Sequence, residues 1–439
     1  MCVRVYIRGD VIRIALPVIL QYVFESILYF IDTMFVSWLG EHALSGVATA
    51  LYLYFLFKSP VISAFISSYT TLTSQAWGSG RKEVISQVFS LFLYLCLAAQ
   101  TAVALLLVFL GRDLMLLIFP DVESVDVGYR YLLYCLTSVP GSALFVTFLA
   151  VLYGTGRTWQ SAAAWILSDI VNAVLDPILM FKLGLGVIGA ALAFSISVYV
   201  PLPLLYYFTR DLIKLEMSCI RYLRQILRVL RDVGLPVYLE RLMSALLFTA
   251  YGAAIGRYGL ETYTAYQIGL RIESFIYLPV LAFADIANIV IGQEVGSGRT
   301  GNIVKTYNSI LALALLFTGL ASVIVIGALP LYIWLFTEST HMQKLVLEYL
   351  ILAALSDLGL AVEMSGRGAY RAIGRAYIAA ALSLTTMLLA RVVPAYIALS
   401  LNLPITYVWA FMVLDTGLRA GLIYISYVTW ASRRPVVYV

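Results

Sequence analysis

Charge is scarce in this sequence. Only 12% of its 439 residues are Asp, Glu, Lys or Arg, about half of the roughly 25% usual in soluble domains. Histidine is rarer still: His42 and His341 are the whole supply. Both fall in polar stretches between apolar runs, so neither anchors a metal set or an acid–base pair. The cysteines, Cys2, Cys96, Cys135 and Cys219, are scattered without metal or redox spacing and read as small apolar residues. The Gly-Ser-Gly-Arg stretches at 78–81 and 296–299 follow no strand and lack the Lys-Ser/Thr of a phosphate loop, which leaves them as helix ends. No nucleophile, metal set or His-Asp cluster for an enzyme remains.

What is abundant is apolar sequence. Hydrophobic residues make up 62% of the chain, in runs of about 20 or more, long enough to cross a hydrocarbon layer roughly 30 Å thick. Spans are predicted near 13–39, 43–75, 85–110, 126–153, 161–181, 184–209, 234–257, 262–294, 306–334, 343–370, 376–399 and 404–430. The start, MCVRVYIRGDVIR, is basic, and the span after it is too long for a cleavable signal. Basic residues collect in alternate loops, about nineteen against about five. Both termini and the central linker are therefore expected to be cytoplasmic and the span count even. A net charge of +5 distributed in this way indicates membrane orientation, not a nucleic-acid partner. The linker, 210–233, spaces Ile213, Met217, Ile220, Leu223, Ile226 and Leu230 at helical intervals beside Arg221, Arg224, Arg228 and Arg231. It reads as an amphipathic helix on an anionic leaflet, or a tether between halves.

The chain repeats itself. Leu16-Pro17 returns as Leu235-Pro236, and Gln75 to Arg81 as Gln293 to Arg299. Gly154 to Arg157 returns as Ala372 to Arg375, and Pro177 as Pro394. Landmarks at nearly one offset mark a duplication. An even number of spans per repeat relates the halves by a pseudo-two-fold along the membrane normal, with a path between them. The expected fold is an all-α integral membrane protein: twelve transmembrane helices in two pseudo-symmetric six-helix bundles. The lobes run over 1–209 and 234–439, with the linker between.

A carboxylate inside a bilayer costs roughly 2.5–3.5 kcal/mol on insertion scales and faces a cavity or a partner. Glu25, Tyr29 and Asp32 share one face of the first span, and Asp169, Asn172 and Asp176 one face of the fifth. Counted from the outer helix ends at 1.5 Å per residue, Asp32 and Asp176 sit about 10 Å deep. Glu25 and Asp169 fall near the middle, so facing helices would build an acidic ladder. Two carboxylates in one poorly solvated place cannot both ionise cheaply, which makes a proton site. With Asn172 and backbone carbonyls the same oxygens can coordinate Na⁺. Interhelical packing is the plainer role for Asn172, Asp169 and Tyr29. The second half does not repeat the ladder: Ser244 and Tyr251 stand where Glu25 and Asp32 would. There Asp415 with Arg419, and Glu363 with Arg367, are spaced to neutralise each other. Arg271 and Glu273 are expected to share partners. Asp285 and Asp357 remain as accessory candidates, and Lys58 reads as either a counter-ion or a cavity-lining cation.

IALPVILQYVFESILYFIDTMFVSWLGEHALSGVATA, ILSDIVNAVLDPILM, LGLGVIGAALAFSIS and GQEVGSGR together resemble the multidrug and toxic compound extrusion (MATE) family, over essentially the whole chain. The resemblance implies a V-shaped twelve-helix antiporter in the cell membrane, expelling organic compounds in exchange for Na⁺ or H⁺. It implies that Asp32, Asn172 and Asp176 match the family's N-lobe cation site and that Glu25 falls where members carry Gln or Glu. Phe194 departs from it, because GAALAF replaces the more usual GAALAT, and the lost hydroxyl favours H⁺. The expected partners are small organic substrates and the lipid bilayer. The protein is expected to be a monomer without cofactor, H⁺ or Na⁺ being the coupling ion. A flippase for lipid-linked oligosaccharides, from the same superfamily, is the alternative, and it calls for a more cationic cavity.

Overall fold

A computed structural model describes residues 9–213, 219–335 and 337–439. All regular structure among them is helical. Among the described residues eleven helices are long and apolar enough to cross a membrane, and a bent pair taken as one span makes twelve. The first span is Gly9–Ser37. The next are Glu41–Gly78 and Lys82–Ile118, the bent fourth (Val122–Leu136 with Val139–Gly154), Thr158–Lys182 and Gly186–Thr209. Leu223–Gly256, Leu260–Gly296, Thr300–Leu331, Thr340–Ala372, Ala376–Ser400 and Ile405–Thr429 follow. Each overlaps one span expected from hydropathy.

The fourth span bends by 52° because Pro140 supplies no amide donor to the turn before it. Hydroxyls add to the carbonyls of the turn before it: Thr137 Oγ1 donates to Tyr134 O and Ser138 Oγ to Cys135 O, each at 2.6 Å. The fifth and eleventh spans widen into π turns at Ile178–Lys182 and Met387–Val392. Pro177 and Pro394 adjoin them, so the repeated proline accompanies a repeated irregularity.

The duplication is visible in the backbone. Gly40 and Gly259, Gly80 and Gly298, Gly156 and Gly374, and Gly184 with Asn402 all have positive φ, at the offset read from the sequence. Gly80 and Gly298 end helices in the left-handed conformation that a Cβ disfavours. The arginines beside these turns anchor chain ends. Arg157 Nη1 donates to Phe208 O at 2.8 Å, and its counterpart Arg375 donates from Nε to Arg434 O at 2.9 Å.

The chain forms two compact units, one of residues up to Val23 with Leu242–Val437, the other of Phe24–Arg241 with Tyr438 and Val439. The boundaries between the units fall within the first and seventh helices. In the unit containing Phe24–Arg241, Val47, Leu53, Leu107, Val125, Leu132 and Ala191 build the core. Gly46 and Gly128 sit where a Cβ would lie 2.1 Å from the other helix's backbone oxygen, the close approach small residues permit between membrane helices. Gly189 packs in the same way on Leu179 and Met180. In the other unit the core is aromatic: Tyr251, Tyr266, Tyr349 and Trp409 pack together.

The linker corrects one expectation. Met217 lies outside the described residues. Leu223–Val229 is helical and runs through a π turn, Leu230–Gly234, into the seventh span. Ile226, Val229 and Val233 are fully buried in protein, on the second and third spans, and not on a lipid surface. Shape decides it: a Cβ on Gly234 would come within 2.7 Å of Ser68 Oγ. Arg221, Arg224, Arg228 and Arg231 stay exposed on the opposite side.

Candidate ion-coupling site

The first and fifth spans do bring their acids together. Asp32 and Asp176 lie within hydrogen-bonding range of each other. Asp176 is only 3% exposed, and Asn172 Nδ2 donates to its Oδ2 at 3.2 Å. Oδ1 of both Asp32 and Asp176 is buried without a protein donor. Asp169 faces Glu25 and Asp32 electrostatically, so the ladder pairs Asp32 with Asp176 and Glu25 with Asp169, as their heights suggested. The side chain of Tyr29 lies outside the described residues. Among the described ion pairs none joins Asp32 or Asp176 to a Lys, Arg or His.

Tyr131, from the fourth span, is the neighbour that sequence reasoning missed. It is buried, hydrogen-bonded with Cys135, and within electrostatic reach of Asp176 and Asp32. Nothing in YRYLLYCL sets it apart from the chain's other tyrosines; only the fold does. Lys58 is fully buried. Its Nζ donates to Ser138 Oγ at 3.0 Å and lies 4.7 Å from the Tyr54 ring centroid. No described ion pair gives it a carboxylate. Phe194 stacks edge-on against Tyr54, centroids 5.7 Å apart, filling space where a threonine would offer oxygen.

The second half carries a different chemistry. Arg419 Nη1 meets Glu363 Oε1 and Oε2 at 2.8 and 2.9 Å, and its Nη2 pairs with Asp415. Arg367 also pairs with Glu363, and Ser383 Oγ donates to Glu363 at 3.0 Å. Arg391 Nε stands 3.0 Å from Asp415 Oδ2. The two expected i, i+4 pairs exist, but as parts of one network through Arg419. Glu273 corrects a second expectation: it is buried and accepts from Tyr349 Oη, while Arg271 is exposed. Asp357, 1% exposed, faces Glu273 and Arg391. Asp285 Oδ2 accepts from Tyr22 Oη at 3.0 Å. Arg391 was missed although it is the single charge between Arg375 and Asp415, a signal the cost of intramembrane charge should raise.

Two repeated bundles of membrane-crossing helices, one with an acid ladder and one with a closed ion network, define a polytopic α-helical membrane protein built by duplication. A family model described as MatE matches residues 17–178 and again 236–397; the chain belongs to that family. It is 24% identical over 426 residues to a probable multidrug resistance protein NorM of Thermotoga maritima, covering 95% of this chain and 91% of that one. Its fold is similar to that of a MOP superfamily transporter from Pyrococcus furiosus, with a TM-score of 0.89 at 20% identity, covering 97% and 95% of the two chains. A mutant of the Vibrio cholerae MATE transporter VcmN superposes at 0.90 with 19% identity, covering 98% of each chain.

Proposed function

We propose that this protein is a cation-coupled antiporter that exports amphipathic, often cationic organic compounds, with Asp32 and Asp176 taking up the coupling ion. The multidrug names of its relatives support the cargo. One observation carries the coupling site: two adjacent carboxyl groups, each with a buried oxygen that no protein donor meets. A proton held between them joins two acceptors that otherwise repel, and its loss restores a negative site to which a cationic compound is drawn. Asn172 turns its amide nitrogen to Asp176 and Phe194 brings no oxygen, which favours H⁺ over Na⁺ as the ion. Glu25 and Asp169 then form the inner step of the same ladder. An acidic first half suits a cationic cargo better than the anionic headgroup of a lipid-linked sugar. The chain works in the cell membrane as a monomer, with both termini on the cytoplasmic side where its basic loops gather.

Liposomes test this directly. A cationic dye should be expelled when a pH gradient is imposed, and Asp32→Asn should reduce that transport to passive leak. Transport driven only by Na⁺ would transfer the site to that ion; wild-type pumping by the variant with both ions would end the proposal.

A further inference from the structure

The repeat puts Tyr251 where Asp32 stands, and the eleventh span where the fifth stands. Asp176 reaches from the fifth span to Asp32 on the first. In the second half it is Arg391 that reaches across in this way, its guanidinium 5.7 Å from the Tyr251 ring centroid and 5.5 Å from that of Phe248. Both rings offer their faces to a cation. Acids approach Arg391 from the other elements: Asp415 on the twelfth span at 3.0 Å, and Glu273 on the eighth with Asp357 on the tenth at electrostatic range. Its Nη2 also reaches Met412 O at 3.5 Å. Arg391 is 4% exposed and Asp415 fully buried, and Asp357 keeps Oδ2 buried without a donor.

We propose that Arg391 is a tethered cation that fills, among the second-half acids, the place an exchangeable ion takes between Asp32 and Asp176, so that each cycle couples to the first half alone. The inference rests on the reading of Asp32 and Asp176 as the exchangeable site. Arginine keeps its charge at any working pH, so it cannot leave and return as a proton does. Covalent attachment also gives it an effective concentration that a free ion at millimolar levels cannot match. With the guanidinium in place, Asp357, Glu273 and Asp415 already share a cation, and a second positive ion there would meet its repulsion. Without it, Asp415 keeps Arg419, but the buried Asp357 and Glu273 face each other and must gather a proton or a metal ion in its stead.

The test counts bound cations on the purified full-length protein. Protons are measured by uptake in lightly buffered detergent solution between pH 8 and pH 5, and Na⁺ by radiotracer at pH 8. Relative to wild type, Asp32→Asn should lose one cation, and Arg391→Gln should gain one that the Asp32→Asn/Arg391→Gln double variant retains. Arg391→Lys should stay at the wild-type count, because its own charge fills the place. Asp357→Asn should also leave the wild-type count unchanged. A folded Arg391→Gln protein with no gain overturns the proposal. So does loss of a cation in Asp357→Asn, an arm that decides the matter even where Arg391→Gln does not fold. An unchanged count in Asp32→Asn instead defeats the reading of the first-half site, and the Arg391 and Asp357 arms still stand apart from it.

Discussion

Asn172 Nδ2 donates to Asp176 Oδ2 across 3.2 Å, one helical turn away, and leaves Asp176 Oδ1 buried without a protein donor. That bond fixes which oxygen of the pair is available to an ion. It also gives Asn172 a role that differs from the acids: it orients, and they titrate.

The two kinds of residue should separate by mutation. Asp176→Asn, like Asp32→Asn, should abolish gradient-driven dye export while leaving dye binding in detergent within a few-fold of wild type. Asn172→Ala removes a hydrogen bond to a charged acceptor, worth about 1.5–3 kcal/mol. Because that bond stabilises the ionised carboxylate, proton affinity should then rise roughly 10- to 100-fold, with export slowed at proton release but not abolished. Dose–response curves of export against imposed pH gradient distinguish a shift along the pH axis from a loss of amplitude.

In the second half the charges hold structure. Glu363 is fully buried between Arg367 and Arg419, so Glu363→Ala leaves two cations with a lost partner. Breaking a buried pair from one side costs about 3–5 kcal/mol. Thermal denaturation in detergent should show Glu363→Ala strongly destabilised, whereas Asp32→Asn should melt near wild type. Equal melting of the two variants would show the network to be dispensable for the fold.

The close approach of the second and fourth spans makes a third prediction. Gly46→Ala puts a methyl group 2.1 Å from Ser124 O, and the backbone on that side cannot rotate away as a side chain would. Overpacking of this kind costs about 1–3 kcal/mol. The melting temperature of Gly46→Ala should drop clearly, while Gly252→Ala, where a Cβ meets nothing within 4 Å, should match wild type.

The spans and the repeat were legible because membrane physics writes them locally, as apolar length and as glycines at fixed offsets. The acid ladder was legible for the same reason: its members on one helix share a face, and its members across the two helices share a depth. Tyr131 was not, because a tyrosine in an apolar helix looks the same whether it meets lipid or a carboxylate. The linker misled, since an amphipathic stripe fits a leaflet and a protein groove equally well; the burial of Ile226, Val229 and Val233 against the second and third spans separates them. The first helix's change of unit after Val23 was hidden too. Nothing in the run QYVFES marks it, because unit membership is decided by contacts with helices distant in sequence.

Topology is checked by labelling. Arg224 is exposed on the linker, so a cysteine there, in a background without native cysteines, should react with an impermeant maleimide only in inverted vesicles. Labelling on intact cells would reverse the proposed orientation and with it the direction of transport.

Substrate binding should depend on pH with a definite sign. If a proton between Asp32 and Asp176 removes the negative charge that draws a cationic compound, acidification weakens binding and alkalinisation strengthens it. Charged pairs outside the membrane are the competing source of pH dependence. Asp211 is the clearest: Arg157 holds it bidentately at 2.9 and 2.5 Å, and that pairing keeps its carboxyl below the ordinary carboxylate range. A lowered folded-state value contributes stability above the unfolded pKa of roughly 4, and that contribution is lost only as pH falls below it. Asp211 is therefore silent between pH 5 and pH 8. Dye affinity measured across that window should fall toward pH 5 in wild type and be flat in Asp32→Asn, whereas Asp211→Asn should keep the wild-type slope. Equal slopes in wild type and Asp32→Asn would place the titrating group elsewhere.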